Sequence, residues 1–169
     1  LKVLGVDPGT AATGYGVVVR GEGGVATLVE CGVIRTTAEA PLPLRLREIH
    51  ESLGQVIDRH GPDVVAVEDI FYGKNVRTTV MLGHTRGAVL LAAALRDIQV
   101  ADYSPAEVKS AIVGTGRATK EQVQFMVKKL LRLKEVPAPA DAADGVAVAL
   151  CHLNTGRLSE LARRVLAGQ

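Results

Sequence analysis

Apolar positions along this 169-residue chain change period several times, and each change marks an element. Val3, Leu4 and Val6 form a short continuous apolar run, the signature of a strand covered on both faces, and Pro8-Gly9 ends it at once. Asp7 is thereby left on rigid backbone at the strand's end, although Asp-Pro-Gly is also an ordinary tight-turn sequence. Thr13 to Arg20 is a second β-rich run, and Val25 to Ile34, preceded by Gly21, Gly23 and Gly24, is a third. The three predict an antiparallel meander. Glycines at 9, 14 and 16 leave room for a backbone or a phosphate to approach closely.

The period then lengthens. After Pro41 and Pro43, Leu46, Ile49, Leu53, Val56 and Ile57 fall on one face of a helix of about four turns, which Gly61-Pro62 stops. Val64 to Val67 is a second fully apolar strand, parallel to the first because a helix crosses over to it, and it ends on Glu68 and Asp69. Asn75 to Leu95 is helical and apolar nearly all round in its second half, so more than one face should be covered. Gly83 and Gly87 would admit a close helix, either within the monomer core or at a dimer seam. Ile98 to Tyr103 is a last short strand. Ser104-Pro105-Ala106-Glu107 and Thr119-Lys120-Glu121-Gln122 are capping boxes that open two further helices. The second of these N-termini, beside glycines and Lys120, suits a phosphate. Pro137 and Pro139 introduce a long apolar helix with Asp141 and Asp144 in its first turns, and a weaker helix is expected from Leu158 to Leu166. The order predicts an α/β fold: a mixed five-stranded sheet, three antiparallel strands followed by parallel ones, with helices on both faces.

Bulk composition narrows the function. A chain of 169 residues, 47% hydrophobic and 22% charged, is expected to form one domain over residues 1–169. The longest apolar run, Ala88 to Leu95, is less than half of what a bilayer needs, and no basic region precedes an apolar core at the N-terminus. The expectation is a cytoplasmic protein without a membrane partner. Cys31 and Cys151 lack CxxC spacing and the four histidines are scattered, which argues against disulfides and zinc. Net charge is +2, yet the segment from Lys109 to Lys134 carries seven basic residues and one acid, leaving −4 for the rest. A solvated helix face is one reading of that segment; a surface for a polyanion is the other.

The acids supply the chemistry. Asp7 and Glu68 end two strands that the crossover makes neighbours, and Asp141 and Asp144, three apart, share one helix face where the helix dipole favours their charge. Periodicity leaves Asp69 as an alternative to Glu68. Carboxylates converging on one place repel each other unless a cation lies among them, and oxygen-only ligands select hard ions such as Mg²⁺ or Mn²⁺. A binuclear site is expected. In a chain with two Phe, three Tyr and no Trp, Phe71 and Tyr72 stand together ahead of Lys74, Asn75 and Arg77, which suggests stacking on bases beside the acids, with core packing as the alternative.

Asp7-Pro-Gly-Thr with Gly14-Tyr-Gly, Val67-Glu68 followed by Phe71 and Lys74-Asn75, Gly83 to Gly87, Val108-Lys109 with Val113-Gly114, and Ala140-Asp141-Ala-Ala-Asp144 run in register along nearly the whole chain. In this the chain resembles the bacterial RuvC Holliday junction resolvases. The resemblance implies an RNase H-like fold, a homodimer, and Mg²⁺-dependent nicking of four-way junction DNA with two ions per site and Mn²⁺ as a substitute. It also implies partnership with the RuvA and RuvB branch-migration proteins. By position it makes Asp7, Glu68, Asp141 and Asp144 the metal-binding catalytic acids. Lys109 and Lys120 become basic residues near DNA, alongside Arg117, and Phe71 becomes a base-stacking aromatic. An actin-like ATPase or sugar kinase also opens on Asp-x-Gly-Thr, but needs two such domains. A junction-binding module without catalysis is a third possibility, against which the full acid set argues.

Overall fold

The computed structural model describes residues 1–70 and 75–166, with side chains to residue 156. Its elements are β1 (Lys2–Asp7), β2 (Ala12–Arg20), β3 (Ala26–Arg35), α1 (Leu42–His60), β4 (Val64–Glu68), α2 (Val76–Ala94), β5 (Gln99–Tyr103), α3 (Pro105–Val113), α4 (Lys120–Leu130) and α5 (Ala140–Leu166). The strands form one five-stranded sheet in the order β3-β2-β1-β4-β5. β1 pairs antiparallel with β2 and parallel with β4, and β5 lies parallel beyond β4. This is the mixed sheet that the order of apolar runs predicts.

Strand alternation decides what each face does, because successive side chains point to opposite sides. Leu4, Val6, Val17, Val65 and Val67 pack against Ile49, Leu53, Val56 and Ile57 of α1 and Val89, Ala92 and Ala93 of α2. Val3, Val18 and Ala66 pack on the other side, against Val108 and Ile112 of α3, Val123 and Val127 of α4, and Val146 to Leu150 of α5. Asp7 continues the phase of Val3, and Glu68 that of Ala66. Both acids therefore face the α3–α5 layer.

α5 lies directly on sheet backbone. A Cβ on Gly5 would overlap the Gly145 carbonyl oxygen, and one on Gly14 would overlap that of Asp141. The space that the sequence left open to a backbone or a phosphate is thus filled, at Gly14, by the helix that carries two of the acids. Both capping boxes are formed: Ser104 with Glu107, and Thr119 with Gln122.

Three details differ from the sequence expectations. α1 has 19 residues, about five turns rather than four. α5 is one helix of 27 residues where two were expected. The Thr155 hydroxyl donates to the Cys151 carbonyl across one helical turn, and an interior glycine at 156 costs a helix only about 1 kcal/mol. Finally, among the described residues α2 is buried on one face, through Thr85, Val89, Ala92 and Ala93. Val76, Val80, Leu91 and Leu95 are exposed, and no described residue lies within 4 Å of a Cβ built on Gly83 or Gly87.

Candidate active site

The register places Val6 beside Val67, so Asp7 and Glu68, one residue further on, leave neighbouring strand ends together. α5 starts above them and supplies Asp144. α3 and α4, both oriented by their capping boxes, supply Lys109 and Lys120. These five side chains line one cavity of about 260 Å³, with Pro105, Val123 and Ala147 as its apolar wall. Lys120 Nζ lies 2.6 Å from Asp144 Oδ2.

The electrostatics follow from that crowding. The Asp7 carboxyl is pushed up to about 6, chiefly by burial and then by Asp144, with Lys120 opposing and a smaller push from Asp141. Burial likewise pushes Glu68 up to about 8, reinforced by Asp7 and Asp144 against Lys109 and Lys120. The acids in turn hold the Lys120 ammonium above its usual range, chiefly through its hydrogen bond to Asp144. Two carboxylic acids so displaced form a place where positive charge is wanted. The donors are oxygens alone, which fits a hard divalent cation. The acids surround one cavity, although among the described residues no three of them stand close enough to share a single ion.

Asp141, half-buried one turn before Asp144, does not line the cavity. It sits at the margin, its charge reaching Asp7 and Lys120 and its backbone carbonyl resting on Gly14. Strand phase puts Glu68 in the acid cavity and Asp69 outside it, where Asp69 lines a second cavity with Arg86.

Of the residues expected to meet DNA, Lys109 and Lys120 are in the cavity and Arg117 is exposed three residues before Lys120. Asn75 caps α2, accepting from the Thr78 amide at 3.2 Å, and Arg77 is exposed in its first turn. Phe71, Tyr72 and Lys74 lie outside the described residues. Sequence reasoning did not single out Val123 and Ala147, which line the cavity but are ordinary apolar positions within helical segments. It also passed over Arg86, whose signal was available: it is the one Lys, Arg, Asp or Glu between Met81 and Ala94.

An acid-lined cavity at the ends of two parallel strands, on a β3-β2-β1-β4-β5 sheet and rimmed by lysines, defines a nuclease of RNase H-like fold. The family model for crossover junction endodeoxyribonuclease RuvC matches residues 3–152. The RuvC of Syntrophomonas wolfei is 49% identical over 159 residues, covering 94% of this chain and 92% of that one. The RuvC of Pelotomaculum thermopropionicum is 51% identical over 152 residues, covering 90% and 92%. Among solved structures, that of Thermus thermophilus RuvC superposes with a TM-score of 0.87 at 38% identity, covering 94% of this chain and 97% of the other. The same protein in complex with a Holliday junction substrate gives 0.85 at 35% identity, covering 94% and 96%. The chain belongs to the RuvC family of crossover junction endodeoxyribonucleases.

Proposed function

We propose that this protein resolves four-way DNA junctions by paired, symmetric hydrolysis of two phosphodiesters, as a homodimer acting in recombination and repair. The observation that carries the reading is the convergence of Asp7, Glu68 and Asp144 on one cavity between Lys109 and Lys120. The whole chain serves as one nuclease domain. Asp7, Glu68, Asp141 and Asp144 would hold two Mg²⁺ ions, with Mn²⁺ as an acceptable substitute because it shares the preference for oxygen. Mg²⁺ bound there supplies Lewis-acid stabilisation of charge on the phosphate oxygens.

The chain's own residues do the rest. Lys109 and Lys120 orient the scissile phosphate, and Arg117, Arg77 and Asn75 hold backbone on either side of it. Phe71, Tyr72 and Lys74 complete that DNA surface, as their place in the sequence implies. In-line attack by water breaks the bond from phosphorus to the 3′ oxygen and leaves 5′-phosphate and 3′-hydroxyl ends. Symmetry of the cuts calls for two identical sites related by a two-fold axis. The bare outer face of α2 is the surface that fits this: its exposed valines and leucines continue into an apolar cavity of about 370 Å³ between α1 and α2, lined by Leu46, His50, His84, Ala88 and Leu91 among others. RuvA and RuvB are the expected partners that deliver the junction in the cytoplasm, and no helix among the described residues is long and apolar enough to cross a membrane.

The test is a synthetic four-way junction and a matched duplex, each with and without Mg²⁺. The junction is cut in pairs only with the ion, and the duplex is spared. Asp7→Asn, Glu68→Gln and Asp144→Asn each abolish cleavage while junction binding survives, because binding rests mainly on phosphate contacts. Near-normal cleavage by any one of them removes that residue from the site.

A further inference from the structure

Arg86 is the one formal charge in the apolar half of α2, and its side chain is only 20% exposed. Its Nη2 donates to Asp102 Oδ1 at 2.6 Å, and its Nε lies 3.5 Å from Asp69 Oδ1, close enough for an ion pair but without a hydrogen bond. The two carboxylates hold significant places in the sheet. Asp102 is the register partner of Val67, which precedes Glu68, and Asp69 is the residue that follows Glu68. The Asp69 amide donates to the Tyr103 carbonyl at 2.8 Å, extending the β4–β5 ladder one residue past Glu68. One guanidinium thus grips β4 and β5 on both sides of Glu68, from outside the acid cavity.

The grip holds two like charges together. Without Arg86, Asp69 and Asp102 would be left to repel each other at the strand ends that present Glu68 to the cavity. We infer that Arg86 is a positioning residue which fixes the end of β4, so that the Glu68 carboxylate is presented to the cavity. Asp69 and Asp102 are 56% and 53% exposed, so the pairs contribute little to global stability and their removal is felt in geometry. The inference rests on Glu68 being a site acid.

The experiment measures single-turnover cleavage of a synthetic four-way junction in Mg²⁺, with junction affinity and melting temperature for each variant. Arg86→Gln and Asp69→Asn each slow cleavage roughly tenfold, the scale of a displacement well under 1 Å at a reacting centre. Affinity stays within about twofold, melting stays within a few degrees, and the double variant is no slower than the slower single one, because both break one interaction. Arg86→Lys recovers part of the rate, since an ammonium reaches one carboxylate but cannot bridge two. Parental cleavage by Arg86→Gln, multiplying losses in the double variant, or a rate loss matched by a collapse in melting overturns the inference. If Arg86→Gln fails to fold, Asp69→Asn and Asp102→Asn decide alone: a slowed rate with parental melting supports the inference and a parental rate overturns it. Glu68→Gln serves as the reference. Inert Glu68→Gln beside parental Arg86→Gln removes Arg86 only, whereas active Glu68→Gln removes the reading beneath it.

Discussion

Glu68 and Asp7 are carboxylic acids held where their charged forms are disfavoured, and this makes the cavity a cost to the fold as well as its purpose. Glu68 titrates near 4.5 when unconstrained and at about 8 in the folded chain. Between those values the folded chain holds a proton that the unfolded chain has released. The stability from this group is therefore complete below about pH 4.5 and is lost as pH rises through about 8. In buffer with EDTA, the melting temperature is expected to fall from about pH 5 to about pH 8.5. Glu68→Gln should flatten that slope and melt higher than the parent at the alkaline end. Each kcal/mol recovered moves a chain of this size by roughly 2–4 °C. Parallel slopes for parent and variant would show that Glu68 is not the group responsible. The identity of this acid was only half legible in the sequence. Apolar runs mark where β4 ends, but Glu68 and Asp69 are equivalent to a pattern; what separates them is the phase set by Ala66, which packs on the α5 side, and Val67, which packs toward α2.

At the scale of elements, the contact between α5 and the sheet sets where two of the four acids stand. Because backbone rests on backbone at Gly14 and Asp141, Gly14→Ala pushes the start of α5 away. Overpacking of this kind costs about 1–3 kcal/mol, and it should abolish cleavage even where the variant remains folded. Circular dichroism melts alongside the junction assay check both parts; a fully active Gly14→Ala would mean that the helix position is not critical. The sequence showed the caps at Ser104 and Thr119 plainly, because a capping box is local chemistry. It did not show that α5 continues past Gly156, since a glycine marks an end only when the flanking hydrogen bonds let it. Nor did it show which faces of α2 are covered, because a helix apolar all round states a need for partners without saying whether they belong to the same chain. Leu91→Asp, on the bare face, is expected to convert a dimer into a monomer at micromolar concentration with the fold intact. Sedimentation showing the parent itself to be monomeric would remove α2 as a seam.

Across the whole molecule, charge is segregated: the segment from Lys109 to Lys134 is basic while the remainder is acidic. Binding should therefore weaken steeply with salt. Lys109→Ala should lower the slope of log affinity against log salt by about one, because one phosphate would no longer be neutralised. Lys120→Ala should lower it by less, because that ammonium is already neutralised by Asp144. Equal slopes for parent and Lys109→Ala would return this lysine to an ordinary solvated position. The acid cavity opens toward α3–α5, and the bare surface of α2 lies on the other side of the sheet. A partner seated on α2 would therefore put four packed layers, two sheets and two helices, between the two acid cavities, and the three spacings between those layers, about 10 Å each, add to about 30 Å. Such a pair would work as a fixed caliper, spanning two arms of a branched DNA rather than closing on both strands of one duplex at the same step. Spin labels on Arg117 of each subunit would read this span directly, and a separation of about 20 Å or less would mean that the subunits meet elsewhere.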